Sequence, residues 1–296
     1  MWHSVSYFFV LLKKVFYRLL IPVIYHDKNE RKKHLKECIT KVEKKYLRRY
    51  LHVIDSSTSG VDTKTDKIIW ICWLQGEENM PPVVRKCVSS VQQHMKDYKV
   101  VILSDENIPS YVQFPPYIYE RRAKKQMSPT HFSDLLRVTL LEKYGGIWID
   151  ATVYLTDRLP DQIMNADLFA YRTHSYVSSN NFLLKANAGD IIIRNMRDLL
   201  LAYWKNEPRL LDYFIYHIFF DMLIKESEVC RRIWENVPVV YDDCYELEAN
   251  FFNKFDVNLW HKINSKTKVH KTSWKYKGEP KADNFLGILL AGKLED

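Results

Sequence analysis

Two apolar runs of strand length, separated by an amphipathic helix, constrain the fold more than any other feature of the sequence. The first run is KIIWICWL at residues 67–74, and the second is YKVVILSD at residues 98–105. Runs that are apolar on both faces are typical of strands inside a covered parallel sheet. The intervening PPVVRKCVSSVQQHM opens with proline, as many helices do. Strand, helix and strand in this order predict a right-handed βαβ unit within an α/β domain.

The next helix and strand lie in FSDLLRVTLLEKYGGIWIDATVYL, residues 132–155. Leu136, Leu140 and Leu141 form one apolar face of the predicted helix, and Gly145 is a typical helix stop. IWIDATVYL then reads as a short buried strand that continues past an interruption. Further along, DLFAYR and NFLLKA predict two more strands, and a helix capped by Asp190 follows them.

Three charged side chains of this stretch are predicted to converge. Ligands of an open α/β sheet bind beyond the carboxyl ends of its strands, and Asp150 stands at such an end. Asp134 and Arg137 are three residues apart, so they share one helix face that the glycine turn folds back toward the strand. Carboxylates accept sugar hydroxyl protons and a guanidinium neutralises phosphate, so the set favours a sugar–phosphate ligand. The alternative is a helix-surface ion pair beside an unrelated strand end.

The segment RLLDYFIYHIFFDMLIK, residues 209–225, predicts a buried core helix. Its polar residues Asp212, His217 and Asp221 argue against a membrane span. His217 and Asp221 are four residues apart and are predicted to satisfy one another. Asp212 is left with two interpretations, a structural role or a contact with sugar hydroxyls.

The basic character of the chain is confined to its N-terminus. Residues 1–53 hold 13 Lys and Arg against 4 Asp and Glu, whereas the remainder is nearly balanced. The aromatic, apolar MWHSVSYFFVLL favours an anionic membrane surface over nucleic acid as the partner. Lysines interrupt the apolar run before it reaches the ~20 residues of a spanning helix, and no secretory cleavage site follows. Packing of this helix on the body of the protein is the alternative to interfacial attachment.

We therefore predict a basic, helical, membrane-associated region at 1–55 and an α/β domain at 66–296, joined by the linker SSTSG at 56–60. A basic amphipathic helix is predicted over 29–52. The five cysteines form no CxxC pair, which argues against disulfides or zinc and favours a reducing compartment. The predicted location is the cytoplasmic face of the cell membrane.

The chemistry-bearing stretch resembles a known family. S-D-x-x-R followed by Y-G-G-x-W-x-D resembles the sugar-binding, DXD-containing region of glycosyltransferase family 32, and it looks closest to the bacterial capsular polysaccharide synthesis branch. IIWICWLQGEENMPPVVRKC and LLDYFIYHIFFDML resemble that branch as well, so the likeness covers most of residues 67–275.

The resemblance implies a GT-A fold, a Rossmann-like mixed sheet flanked by helices, and a hexosyl transfer with retention. The implied donor is a nucleotide sugar, a UDP-sugar by preference. The acceptor would be a growing capsular polysaccharide or a lipid-linked glycan. Asp134 and Arg137 would contact the donor sugar, and Trp73 matches the aromatic residue beside the nucleotide base, although a buried core tryptophan is an equal alternative.

The resemblance also implies a divalent cation, Mn²⁺ or Mg²⁺, held by Asp150 with the diphosphate. Thr152 stands where the motif has its second carboxylate, which puts metal dependence in doubt. His270 is the candidate further ligand, with a solvated loop histidine as its alternative. Lys271 and Lys275 would neutralise the leaving diphosphate. A sugar-phosphate transferase and an inactive donor-binding scaffold of a polysaccharide assembly complex remain the rival functions.

Overall fold

A five-stranded mixed sheet forms the centre of the protein, whose computed structural model describes residues 7–57, 67–175 and 177–294. Along the chain the strands are β1 (Ile68–Cys72), β2 (Lys99–Leu103), β3 (Gly146–Ile149), β4 (Val153–Leu155), β5 (Leu168–Arg172), β6 (Ser179–Ala186) and β7 (Val269–Lys271). The central order is β2-β1-β3-β6-β5, in which β2, β1 and β3 are parallel and β6 is antiparallel to both neighbours. Strands β4 and β7 form a separate antiparallel ribbon.

Helices flank the sheet and precede it. They are α1 (Tyr7–Ile24), α2 (Lys28–Leu47), α3 (Pro82–His94), α4 (Pro116–Ala123), α5 (Pro129–Tyr144), α6 (Asp161–Met164), α7 (Ile191–Asn206), α8 (Ile215–Glu226), α9 (Glu228–Asn236), α10 (Glu246–Ala249), α11 (Val257–Lys266) and α12 (Phe285–Leu290). Asp190 caps α7 as expected, its Oδ1 accepting from the Ile193 amide at 3.0 Å. The predicted α/β class, with a mixed sheet flanked by helices and a helical N-terminal extension, is confirmed.

The two-glycine turn between α5 and β3 brings the helix back onto the strand. Gly145 and Gly146 have φ of +67° and +97°, a backbone region that other residues rarely adopt. A Cβ on Gly146 would lie 2.5 Å from the carbonyl oxygen of Ile68 in the neighbouring strand. The turn therefore requires glycine for its conformation and for the close approach of β1.

The N-terminal helices share the main hydrophobic core with the sheet. Val10 of α1 and Tyr46 and Leu47 of α2 are buried in the same cluster as Phe219 of α8. The opposite side of α1 is solvent-exposed although it is apolar. Its exposed large side chains are Phe8, Phe9, Leu11, Leu12, Val15, Phe16, Leu19, Val23 and Ile24.

Packing of α1 on the body of the protein is thus observed for one side of the helix, and the other side faces solvent. Within the part of the chain that the structure describes, no helix is both long and apolar enough to span a membrane. Residues 1–6 and residues 58–66, which include most of the predicted linker at 56–60, lie outside the described residues.

A second hydrophobic cluster supports the β4–β7 ribbon. It joins Val83 and Cys87 of α3 to Tyr154 of β4 and to Trp260 and Phe285 of the C-terminal helices. The ribbon pairs Val153 with Lys271 and Tyr154 with His270. It consequently carries residues from the far C-terminal part of the chain to the carboxyl end of β3.

Candidate active site

The carboxyl edge of the sheet holds the predicted charged residues. Asp150 follows β3 directly, and its amide donates to the Phe182 carbonyl of β6 at 2.8 Å. Trp73 follows β1 at the same edge. Asp105, which follows β2, pairs instead with Arg122 at 2.6 Å and is not among the residues that line the cleft described below.

Arg137 is the centre of the charged set, and only 3% of it is exposed. Its Nη2 lies 3.2 Å from Asp134 Oδ1 and 3.5 Å from Asp150 Oδ1. The guanidinium also donates to the carbonyl of Asn181 and to the hydroxyl of Ser133, the latter at 3.2 Å. The predicted convergence of the two carboxylates and the guanidinium is present in the structure, so the helix-surface alternative does not describe it.

Asp134 is a buried partner of Arg137. It is 6% exposed, and its Oδ1 accepts from Asn181 Nδ2 at 2.9 Å in addition to facing Arg137. Asp134 is absent from the lining of the cleft, whereas Arg137 is part of it. These contacts hold the guanidinium of Arg137 in one orientation, and the predicted contact of Asp134 with a donor sugar stays a prediction.

Asp150 is surrounded by positive charge and donors. Lys271 Nζ lies 3.1 Å from its Oδ2, and Trp148 Nε1 donates to its Oδ1 at 2.9 Å. Burial acts to raise the pKa of this carboxyl, but the charges of Lys271 and Arg137 and the indole donor outweigh burial, and the pKa lies below its ordinary value. Asp150 is therefore a carboxylate at neutral pH. Lys271 Nζ also donates to Thr152 Oγ1 at 2.6 Å.

A cleft of about 640 Å³ opens beside these residues. Trp73 and Trp274 form an aromatic corner in it, with ring centroids 5.5 Å apart and nearly perpendicular planes. The Trp73 indole donates to the Asn79 carbonyl at 3.3 Å and is partly exposed, so it is not a core tryptophan. Polar, charged and aromatic side chains that share the cleft include Gln75, Ser133, Arg137, Asp150, Thr152, Tyr213 and Lys275.

Two predicted site residues, His270 and Asp212, do not line the cleft. His270 is fully buried on the other side of the β4–β7 ribbon from Lys271, with its ring 5.4 Å from that of Trp260. Burial, with a smaller contribution from Lys268, lowers the pKa of His270 to about 3, so its ring is neutral. Alternation along β7 is the reason, because neighbouring side chains of a strand face opposite sides. The structure does not bring His270 to Asp150, and it is not a solvated loop histidine either.

Asp212 faces the N-terminal helices and is not among the residues that line the cleft. Its carboxylate lies 4.0 Å from Lys14 Nζ and 3.9 Å from Lys36 Nζ. It also accepts from the Phe214 amide at 2.8 Å, because residues before Ile215 form a turn where a longer helix was predicted. Of its two interpretations, these contacts favour the structural one.

The predicted pairing of His217 with Asp221 is not formed. His217 Nδ1 lies 2.9 Å from the Ser179 carbonyl, while Asp221 accepts from the Ser178 amide at 2.9 Å and from Lys44 at 3.2 Å. Burial lowers the pKa of His217. Both residues serve the packing of α8, but each finds its partner on another element.

The side-chain set does not fit a divalent cation. Among the residues that the structure describes, no group of three or more His, Cys, Asp or Glu side chains is arranged to hold a metal ion. Mg²⁺ needs oxygen ligands at about 2.1 Å, yet Asp150 Oδ2 faces an ammonium at 3.1 Å. Two unit charges about 4 Å apart repel by about 4 kcal/mol near a protein surface, and a divalent ion doubles the repulsion.

Asn181, Trp148 and Trp274 are site residues that sequence reasoning missed. Asn181 binds both Asp134 and Arg137 because β6 runs antiparallel beside β3. In the sequence, the only indication of this role is the Asn180–Asn181 pair at the start of a predicted strand. The pairing of β6 with β3 is needed to show that Asn181 lies beside the charged residues. Trp148 lies on the resembling motif itself, and the Arg137 guanidinium carbon is 5.0 Å from its ring centroid.

Comparisons with known proteins found relatives that are named as glycosyltransferases. The "O-glycosyltransferase braB" of Annulohypoxylon truncatum is 34% identical over 110 residues, which cover 34% of this chain and 26% of that protein. "Inositol phosphoceramide mannosyltransferase 3" of Schizosaccharomyces pombe is 24% identical over 233 residues, covering 72% of this chain and 59% of that protein. The chain therefore matches about a quarter of the first relative's length and under two thirds of the second's.

A solved structure, "PaToxG Glycosyltransferase", aligns over 67% of this chain and 85% of its own, with a TM-score of 0.41 and 15% identity. A family model described as "Capsular polysaccharide synthesis protein" matches residues 20–287, which is most of the chain and includes every residue of the charged set. The protein belongs to this capsular polysaccharide synthesis family, and the two relatives of the chain given above are named as glycosyltransferases.

Proposed function

We propose that the protein is a GT-A glycosyltransferase that moves a sugar from a nucleotide-sugar donor, a UDP-sugar by preference, to a saccharide or lipid-linked acceptor of a surface polysaccharide. The observation that supports this proposal most directly is a cluster of charged residues at the carboxyl edge of the sheet, beside a cleft with an aromatic corner. The cluster consists of Arg137, Asp150 and Lys271. The names of the relatives support the same class of reaction.

The cleft provides a separate environment for each part of such a donor. The Trp73–Trp274 corner offers apolar ring surface to the nucleotide base. Arg137 and Lys275 of the cleft lining, with Lys271 behind Asp150, supply positive charge for the diphosphate and the adjoining sugar. The Asp150 carboxylate accepts hydrogen bonds from ribose hydroxyls on its solvent side. Asp134 acts through Arg137 by keeping the planar fork in one orientation.

Transfer with retention follows from front-face attack. The acceptor hydroxyl oxygen forms a bond to the anomeric carbon on the side from which the diphosphate leaves. The bond between that carbon and the phosphate oxygen breaks, and its electron pair stays on the diphosphate. The acceptor proton passes to that same phosphate oxygen. Lys271 and Arg137 stabilise the charge that develops there, so no separate protein base is needed.

Membrane attachment is part of the proposal. The exposed apolar side chains of α1 stand among basic residues such as Lys13 and Arg18, and α2 carries further lysines. This combination suits a helix lying in the headgroup region of an anionic leaflet, here the cytoplasmic face of the cell membrane.

The deciding experiment is turnover of a panel of nucleotide sugars labelled in both the sugar and the β-phosphate. Sugar label in the product without phosphate label supports glycosyl transfer. Both labels in the product indicate a sugar-phosphate transferase, and nucleotide binding without turnover on any acceptor extract indicates an inactive scaffold. The anomeric configuration of the product, read by NMR, tests retention. The Asp150→Asn variant serves as the control for activity from contaminating enzymes.

A further inference from the structure

Lys271 lies between the two residues that would be expected to hold a metal ion. Asp150 and Thr152 are the first and third positions of D-A-T, and Lys271 Nζ contacts both, at 3.1 and 2.6 Å. A single ammonium group therefore bridges the pair of side chains that a DXD motif would use for a divalent cation. This relation is visible only in three dimensions, since about 120 residues separate Lys271 from Asp150.

The backbone fixes this lysine in place. Lys271 pairs with Val153 across the ribbon, and its amide donates to the Cys244 carbonyl at 2.9 Å. The next residue, Thr272, holds the Thr152 carbonyl through both its amide and its hydroxyl, at 2.9 and 2.8 Å. Lys271 Nζ also lies 5.8 Å from the centroid of the Phe182 ring. The ammonium is consequently a built part of the site and not a mobile surface charge.

The local charges balance only because position 152 is uncharged. Asp150 brings one negative charge and Lys271 one positive charge, and the Thr152 hydroxyl accepts a hydrogen bond from the ammonium without adding charge. The other oxygen of Asp150 is occupied by Trp148 and faces Arg137 at 3.5 Å. A second carboxylate at position 152 would leave an excess negative charge that attracts a divalent ion.

An ammonium can also serve the ligand. It has three N–H donors, and Asp150 and Thr152 account for two of them. A phosphate oxygen is a suitable acceptor for the third, because lysine binds phosphate as a compact point charge. Lys275 in the cleft lining provides a second positive charge nearby.

We propose that Lys271 permanently replaces the divalent cation, so that the protein binds a nucleoside diphosphate and supports its departure without any metal. This inference rests on the proposed function, because it concerns how the nucleotide-sugar donor is held. Under this proposal Thr152 and Lys271 act together: Thr152 adds no negative charge, and Lys271 supplies the positive charge that a cation would otherwise provide.

The test is calorimetry of UDP and GDP binding to the full chain, in EDTA and in Mn²⁺. For the wild type we expect the two Kd values to agree within about threefold. Lys271→Met should weaken binding in EDTA by about tenfold or more and should regain part of it in Mn²⁺. Lys275→Met, the control at a lysine of the cleft lining that does not contact Asp150 or Thr152, should weaken binding equally in both solutions. Lys271→Arg should retain metal-independent binding if its fold is intact.

A second readout is free Mn²⁺ binding in the absence of nucleotide. We expect none for the wild type and a measurable site for the double variant Thr152→Asp/Lys271→Met, whose two carboxylates are then uncompensated. Nucleotide binding by the wild type that is at least tenfold tighter in Mn²⁺ than in EDTA would overturn the inference alone. Absence of nucleotide binding in either solution would overturn the proposed function together with it.

Discussion

Arg137 illustrates how much depends on the geometry of a single side chain. Its planar fork contacts Asp134, Asp150, Ser133 and Asn181 at once, which an ammonium on a flexible stem cannot reproduce. Arg137→Lys should therefore lower kcat on the preferred donor by about 100-fold. Arg122→Lys, which alters an exposed pair outside the cleft, is the control and should retain activity. Near-normal turnover of Arg137→Lys would remove the guanidinium from the catalytic set.

The backbone conformation and close packing at Gly146 make this position intolerant of a side chain. Gly146→Ala should lower the free energy of unfolding by about 3 kcal/mol or more, because strained φ adds to a clash with the Ile68 carbonyl. Gly292→Ala is the matched control, since φ there is also positive, at +72°, but the nearest atom is the mobile Lys86 Nζ. Denaturant unfolding of both variants measures the difference. Equal losses would mean that the clash relaxes at no cost.

At the residue scale, the sequence allows prediction of contacts within one element but not of those across strands. Asp134 and Arg137 were predicted to lie together because helical spacing alone determines their shared face. His270 and Lys271 were both predicted as site residues, although adjacent strand positions face opposite sides. Only the register of β7 on β4, which pairs Lys271 with Val153, shows which one reaches Asp150.

At the scale of elements, the turn between α7 and α8 links the N-terminal helices to the cleft. Leu210 and Tyr213 of this turn line the cleft. Lys14 of α1 donates to the Leu211 carbonyl at 2.9 Å, and the hydroxyl of Tyr50 donates to Glu207 at 2.5 Å. The wall of the candidate active site is thus held in place by α1 and by the segment that follows α2.

A buried carboxyl in this contact gives a measurable pH dependence. Burial and the charge of Asp212 raise the pKa of Glu43 from 4.5 to about 7, against the lowering effect of Lys14 at 2.5 Å. Between these two pH values the folded state keeps a proton that the unfolded state has lost. The free energy of unfolding should therefore fall as pH rises from about 4.5 to 7, by about 3 kcal/mol in full from this group.

Glu43→Gln removes this titration while keeping a hydrogen-bond acceptor for Lys14. Urea unfolding at pH 5, 6 and 7 should show a flatter pH dependence for this variant than for the wild type. Glu37→Gln on the same helix, whose side chain is exposed, is the control and should leave the slope unchanged. Parallel profiles for Glu43→Gln and the wild type would contradict the assignment of the shift to Glu43.

The element order was predictable from the sequence and the boundaries of some elements were not. The five strands of the central sheet are predictable from their apolar runs and the helix before β3 from its apolar face, and the structure confirms these elements, whereas strand β7 was not predicted. The predicted helix at 209–225 begins only at Ile215, because the turn before it bonds with α1 and with the Tyr203 hydroxyl. Such long-range contacts override local helix propensity, and they cannot be recognised from the spacing of apolar residues in the sequence.

At the scale of the whole molecule, α1 has one side in the main core and an apolar side in solvent. Val10 and Ile21 are buried, whereas Phe8 and Leu19 are 68% and 70% exposed. Deletion of the helix would therefore expose the core and free the cleft wall as well as remove the membrane contact. Substitutions on the exposed side alone separate these effects, because the side chains there contribute little to folding.

The membrane prediction can accordingly be tested without disturbing the fold. The wild type should co-sediment with vesicles that contain phosphatidylserine or phosphatidylglycerol, less with pure phosphatidylcholine, and less again in 1 M salt. The variant Phe8→Ser/Leu12→Ser/Phe16→Ser/Leu19→Ser should lose most of this binding, since it removes the apolar surface that enters the headgroup region. Val239→Ser/Phe252→Ser, which changes exposed apolar residues elsewhere, is the control and should bind as the wild type does. Equal sedimentation of all three proteins would locate the attachment outside α1.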